Sequence, residues 1–324
     1  MRNATSSLPL AIAVLMSATA TVSAGNADLV WRNAANGTNV IWRSANSTMQ
    51  TAVAPVPTAW RIVAVGDFDY DFRADLFWRN SISGANAIWR SGSSATPMSV
   101  AAVGNTAWKV VGVGDFDGDL YGDIVWRNDV TGANAIWRRG NAALPLAITA
   151  VPNLAWRIVA IGDFNGDRRS DLLWRNASNG ANALWRSGSS ALSQNLPATS
   201  LAWSVVGVGD FNGDRVGDVM WRHGVSGQNV VWRSANAALP LPLATVANQQ
   251  WRVVAISDFS GDNVSDILWR NTANGANALW RSGNAAAPLP VTGVGNLSWN
   301  VAGAGEFDAP DPNDPMDPGG GYDY

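Results

Sequence analysis

Eighteen tryptophans recur along this 324-residue chain at a spacing of 47 or 48 residues. They form three interleaved series. The first is Trp31, Trp78, Trp126, Trp174, Trp221 and Trp269, and the second follows eleven residues behind as Trp42, Trp89, Trp137, Trp185, Trp232 and Trp280. The third is Trp60, Trp108, Trp156, Trp203, Trp251 and Trp299. Such self-similarity means one supersecondary unit repeated six times, with each unit burying its apolar face against its neighbours.

One copy shows what the unit is. From Trp156, WRIVAIGDF alternates, with Trp156, Ile158, Ala160 and Gly162 on one face and Arg157, Val159 and Ile161 on the other. Both faces are largely apolar, as in a strand of a sheet packed on each side. An acidic loop follows, then a second strand at 171–176 (DLLWRN), a turn ending in Asn179-Gly180, and a third strand at 182–186 (NALWR). A fourth strand within 192–199 lies beside Pro197, which suits an outer edge. Four short strands per repeat predict an all-β chain, a six-bladed β-propeller of four-stranded antiparallel blades. The ends fit a closed ring. The chain enters at Asp28 with a second strand (DLVWRN) that lacks a first, and residues 299–307 (WNVAGAGEF) supply that first strand. Closure would remove the sheet edges that otherwise invite aggregation.

The ends are of different character. Arg2, the apolar run 8–16 (LPLAIAVLM) and Val22-Ser23-Ala24 have the build of a secretory leader over residues 1–24. The run is too short to span a bilayer, and no membrane insertion is expected. Residues 25–308 are expected to form a single propeller domain, and 309–324, rich in Pro, Asp and Gly, a disordered tail. The expected location is secreted, periplasmic or at the cell surface. The chain has no cysteine, so neither disulfides nor a lipid-bearing cysteine can hold it.

Only 15% of the residues are charged, yet acids crowd into five loops. These are DFDYDFRAD (67–75), DFDGDLYGD (115–123), DFNGDRRSD (163–171), DFNGDRVGD (210–218) and DFSGDNVSD (258–266), which hold 17 of the 25 acidic residues. Oxygen-bearing side chains stand at positions one, three, five and nine each time. Alternating oxygen donors with a closing carboxylate are how a short turn wraps a hard cation such as calcium, with the position-seven carbonyl (Arg73, Tyr121, Arg169, Val216, Val264) as a further ligand. A solvated Asx-rich turn is the plain alternative. The expected metal ligands are Asp67, Asp69, Asp71 and Asp75; Asp115, Asp117, Asp119 and Asp123; and Asp163, Asn165, Asp167 and Asp171. The last two loops would contribute Asp210, Asn212, Asp214 and Asp218, and Asp258, Ser260, Asp262 and Asp266.

GDFNGDxxxDLLWRN, followed by a Gly-containing turn and a Trp strand, resembles the FG-GAP repeats, also called VCBS repeats. The resemblance covers about 28–308 and implies calcium-binding propeller blades of integrin-α type, common in exported bacterial proteins, with Ca2+ at positions one, three, five and nine. Two features depart from that family. It usually has Gly at loop position six, where Phe72, Leu120, Arg168, Arg215 and Asn263 stand here. It is also commonly seven-bladed, so seven blades are the alternative to the six counted. A sixth cation site, split between the ends, would combine Asp28, Glu306 and Asp308, with Pro310 at its position five.

Fifteen of the 18 tryptophans are followed by arginine. Arginines of one blade are expected to lie on tryptophans of the next, their donors met by backbone carbonyls or by Asn such as Asn176 and Asn182. The functional alternative is a set of sugar- or anion-binding pockets. Without Arg2 the formal charge is −4, and five divalent ions would carry it to +6, which makes acidic glycans plausible ligands.

With one histidine (His223), one lysine (Lys109) and one glutamate (Glu306), the chain is poor in general acids and bases. No paired carboxylates remain outside the loops for glycosidase chemistry. The expectation is a non-catalytic, monomeric binding or adhesion module whose partner is an extracellular glycan or surface protein, with no nucleic acid. The alternatives are a propeller-type glycan lyase or hydrolase, or an accessory scaffold to a separate enzyme. The residues that break the repeat, and so could form a unique site, are His223, Asp129, Tyr70, Arg139 and Ser204.

Overall fold

A computed structural model describes residues 26–286 and 288–308; the expected leader over 1–24 and the expected tail over 309–324 lie outside the described residues. The chain forms six four-stranded antiparallel sheets, each in simple up-and-down order. The six-bladed ring is the observed one, not the seven-bladed alternative. The second blade is Trp60–Gly66, Asp75–Asn80, Asn86–Trp89 and Pro97–Val100. The third is Trp108–Gly114, Asp123–Asn128, Asn134–Trp137 and Pro145–Leu146, and the fourth is Trp156–Gly162, Asp171–Asn176, Asn182–Trp185 and Ser193–Leu196. The fifth and sixth begin at Trp203–Gly209 and Trp251–Ser257.

The first blade is completed from both ends. Asp28–Asn33 pairs antiparallel with Trp299–Gly305, Asp28 opposite Gly305 and Asn33 opposite Trp299. First strands of successive blades touch one another and so surround the axis, while the short fourth strands, several carrying proline, lie outermost.

Alternation along the first strand fails at one point. Ile158 pairs with Trp174 and Ala160 with Leu173, which leaves Val159 as an extra residue, and the same bulge occurs in all six blades. Residues beyond it therefore swap faces relative to the strict period-two reading, and Ala160, Ile161 and Gly162 are all buried. A bulge sharpens the local twist, as strands converging on an axis require.

The core lies between blades rather than within them. Each first-series tryptophan is 1% exposed and packs on its own blade's second-series partner with centroids 4.7–4.9 Å apart. From the preceding blade an arginine covers its ring: Arg32 on Trp78, Arg79 on Trp126, Arg127 on Trp174, Arg175 on Trp221, Arg222 on Trp269 and, closing the circle, Arg270 on Trp31, all at 4.9–5.1 Å. These are the arginines after first-series tryptophans only. Their forks are met by neutral oxygens; Arg127, for example, donates to Gly132 O and Asn134 Oδ1 of its own blade and to Val151 O and Trp156 O of the next segment. The third-series cations Arg61, Lys109, Arg157 and Arg252 are exposed.

Candidate cation loops on one face of the ring

The acidic loops join the first and second strands of each blade, so all of them emerge on one face. Their shape follows from the position-one aspartate, which folds the loop about itself. Asp163 Oδ1 accepts the backbone N–H of Asn165, Gly166 and Asp167, and its Oδ2 accepts that of Arg168. Position two is a phenylalanine buried beneath the loop (Phe68, Phe116, Phe164, Phe211, Phe259, Phe307).

Position six takes the left-handed conformation that glycine would favour, although none of the five is glycine: Phe72, Leu120, Arg168, Arg215 and Asn263 have φ of 62–70°. The bend is thus kept at a cost of about 1–2 kcal/mol for each residue other than asparagine. Strain of this kind persists where surrounding structure over-determines the backbone, and it clusters at ligand clamps.

Position nine is wholly buried in all six copies, Asp28, Asp75, Asp123, Asp171, Asp218 and Asp266. Each of its oxygens accepts a backbone N–H. In the second blade Asp75 Oδ2 takes Phe68 N–H and Oδ1 takes Ser91 N–H, from the tight turn after the third strand. The same turn residue does this in every blade, as Ser44, Ser91, Arg139, Ser187, Ser234 or Ser282, always at positive φ. Sequence reasoning missed this clasp; the constant 16-residue spacing from the aspartate was the available signal.

Neighbouring loops are also joined. The position-eight N–H of one loop donates to the position-one carbonyl of the loop before it: Gly122 to Asp67, Ser170 to Asp115, Gly217 to Asp163, Ser265 to Asp210, Ala27 to Asp258 and Ala74 to Glu306. The six loops form one continuous belt.

Carboxylates converge at three places among the described residues: Asp67, Asp69 and Asp71; Asp115, Asp117 and Asp123; and Asp28, Glu306 and Asp308, each set offering oxygens within 4.8 Å of one another. The split set is therefore brought together by ring closure; Pro310 lies outside the described residues. Position three decides the pattern. Where it is aspartate, three carboxylates meet and the arginine after the second-series tryptophan reaches in. Arg43 Nη1 is 2.9 Å from Asp28 and 2.6 Å from Asp308, Arg138 Nη1 is 3.2 Å from Asp117, and Arg90 Nη1 is 3.6 Å from Asp69. Where position three is amide, Asn165 and Asn212 donate to Asp167 and Asp214 instead. At Ser260 the serine oxygen is left over.

The leftover atoms test whether a cation fits. Asp69 Oδ1, Asp117 Oδ1, Ser260 Oγ and Glu306 Oε2 are buried side-chain oxygens with no hydrogen-bond partner. All four stand at loop positions one or three, and three of them belong to the converging carboxylate sets. This is an oxygen-only donor set, the kind a hard cation takes. The residues present fit such an ion.

Electrostatics agree. Burial, opposed by the backbone N–H donors and reinforced by neighbouring carboxylates, pushes Asp75 up to about 8, Asp123 to about 7 and Asp171, Asp218 and Asp266 to about 6. Glu306 is pushed up to about 7. A carboxyl raised on folding contributes stability that is complete below its unfolded value, near pH 4, and is lost as pH rises through its folded value. The cation-free protein is therefore expected to lose thermal stability between about pH 4 and pH 8, most steeply below about pH 6, where all six carboxyls contribute. Melts in chelator across that range check this; stability that rises with pH would contradict it.

Of the repeat-breaking residues, His223 has a structural duty. Its Nδ1 accepts the N–H of Val225 and Ser226, the same bonds Asn80 Oδ1 accepts from Ile82 and Ser83 in the second blade. Asp129 is exposed at a turn, and Ser204 is exposed opposite Arg222. Tyr70 and Arg139, from different blades, meet around Tyr121.

Residues 163–221, from the fourth blade's loop through the fifth blade's second strand, match the family model of the FG-GAP-like repeat. That stretch is FG-GAP-like. The other copies repeat the same loop and the same blade. No curated protein matches this chain. Among solved structures it is similar to a lectin of Agrocybe aegerita described as recognising non-reducing terminal N-acetylglucosamine, with TM-score 0.58 and 13% identity over 90% of this chain and 97% of that one. It is likewise similar to a chain of a nidogen/laminin complex, with TM-score 0.56 and 10% identity over 86% of this chain and 97% of that one. At these identities the likeness is one of fold. No helix among the described residues is long and apolar enough to cross a membrane.

Proposed function

We propose that this FG-GAP propeller is an exported calcium-binding protein that acts as a non-catalytic binding module for an extracellular glycan. The observation that carries the reading is the belt of loops. The five intact loops repeat one oxygen spacing and keep a left-handed bend at position six, although none has glycine there. Unpartnered buried oxygens remain at positions one and three. Calcium would be held by positions one, three, five and nine of the five intact loops, with a sixth ion at Asp28, Glu306 and Asp308, where Arg43 would have to withdraw. When bound, the ions would supply positive charge to a belt of raised, mutually repelling carboxylates. The chain's own part is to hold those oxygens on a rigid ring.

The leader at 1–24 supports export, and calcium at extracellular levels suits the weak sites that strained loops would form. The glycan follows from fold likeness to a lectin and from His223 being taken up as a turn cap, which leaves the enzyme alternative without its one histidine. A panel of immobilised glycans, probed with the protein in calcium and again in chelator, is expected to give hits that chelator abolishes. No hit in calcium would overturn the glycan assignment and leave a surface protein as the partner.

A further inference from the structure

One place on the loop belt departs from the repeat at a position where its sister loops keep glycine. At loop position four, four of the five intact loops have glycine at φ 75–78° (Gly118, Gly166, Gly213, Gly261), whereas the second blade has Tyr70 at φ 65°. A tyrosine in this left-handed conformation is strained where glycine is not. Elsewhere on the belt the position-seven side chain simply lies against the preceding glycine: Val216 against Gly166 and Val264 against Gly213. At this interface the same contact is made by two aromatic rings, Tyr70 stacking on Tyr121 with centroids 5.3 Å apart and planes at 29°. Phe72 supports Tyr70 at 4.7 Å, and the Arg139 guanidinium lies 4.0 Å from the Tyr121 centroid while its Nε is bonded to Asp119.

Tyr70 is 38% exposed and is the one exposed large hydrophobic residue in the acidic loops among the described residues. A single exposed ring is too small for a protein interface. It suits a ligand with one flat C–H face and a rim of hydroxyls, with the remaining N–H donors of the Arg139 guanidinium beside the aromatic pair.

We infer that Tyr70, backed by Tyr121 and braced by Phe72 and Arg139, forms a stacking platform for a single pyranose ring at the junction of the second and third blades. This rests on the glycan reading above and locates its site. The other interfaces, lacking the aromatic pair, do not share it.

The test exchanges these residues for those of the sister loops. Tyr70→Gly with Tyr121→Val rebuilds the junction as it stands between the fourth and fifth blades, so the fold is provided for. The probe is a panel of immobilised neutral, N-acetylated and uronic pyranosides in calcium, read alongside a thermal melt. The double variant is expected to lose at least about tenfold in affinity for every glycan the wild type binds, with an unchanged or higher melting temperature because strain is relieved. Tyr70→Trp should retain binding. Unchanged affinity in the double variant would overturn the platform while leaving the glycan reading intact. A wild type that binds no member of the panel would overturn both.

Discussion

Arg127→Met is expected to lower the stability of the ring by about 3 kcal/mol, seen as a shift of the denaturation midpoint at neutral pH. Arg127 is 4% exposed, and none of the ion pairs among the described residues involves it. Its charge is balanced by the four oxygens of Gly132, Asn134, Val151 and Trp156 and by the face of Trp174. Methionine fills the volume and keeps contact with the ring, yet it takes the guanidinium donors away from Asn134 Oδ1, Val151 O and Trp156 O, while Gly132 O keeps only the Val151 N–H. Because Val151 and Trp156 lie beyond the third blade, the loss falls on the joint between blades. Arg127→Lys is expected to recover little, since an ammonium cannot span acceptors on two segments as the planar fork does. Full recovery with lysine would show that charge alone, and not the fork, joins the blades.

Gly132→Ala should be at least as damaging, although it adds one methyl group. Gly132 sits at φ 72°, and a β-carbon there would lie 2.1 Å from Val151 O and 2.7 Å from its carbonyl carbon. The turn cannot relax independently, because Val151 N–H donates back to Gly132 O and Val151 O receives Arg127. Strain from the left-handed backbone and displacement of that carbonyl together are expected to cost more than about 3 kcal/mol. The two substitutions share one network, so the double variant should lose less than the sum of the singles. Strict additivity in equilibrium denaturation would contradict that coupling.

Much of this was legible in the sequence because repetition amplifies weak signals. One glycine turn or one Trp-Arg pair is ambiguous, but a glycine turn and a first-series Trp-Arg pair in all six repeats, at a fixed period, yield blades, their count and the closing strand pair. The stacking of Arg32 on Trp78 and its five equivalents could be anticipated from alternation and from the shortage of free acids. The bulge at Val159 could not, since bulges depend on how strands converge in space and leave no mark in the hydrophobic pattern. The clasp from Ser91 N–H to Asp75 was hidden for a similar reason: it uses a backbone donor, and a backbone donor has no residue type. Nor did the sequence show which arginines enter the loops. That depends on position three, where aspartate draws in Arg90 and Arg138 and an amide does not. The meeting of Tyr70 with Tyr121 arises from ring geometry, which brings residues 51 positions apart into stacking contact.

The belt of loops as a set of calcium sites is tested most directly by melting the full chain in millimolar calcium and again in excess chelator. A site occupied at a hundred times its Kd adds about 2.7 kcal/mol, and several sites acting on one ring should raise the melting temperature by at least about 10 °C. Magnesium at the same concentration should do much less, because it dehydrates reluctantly and asks for stricter geometry. Identical melting temperatures with calcium and with chelator would contradict the account.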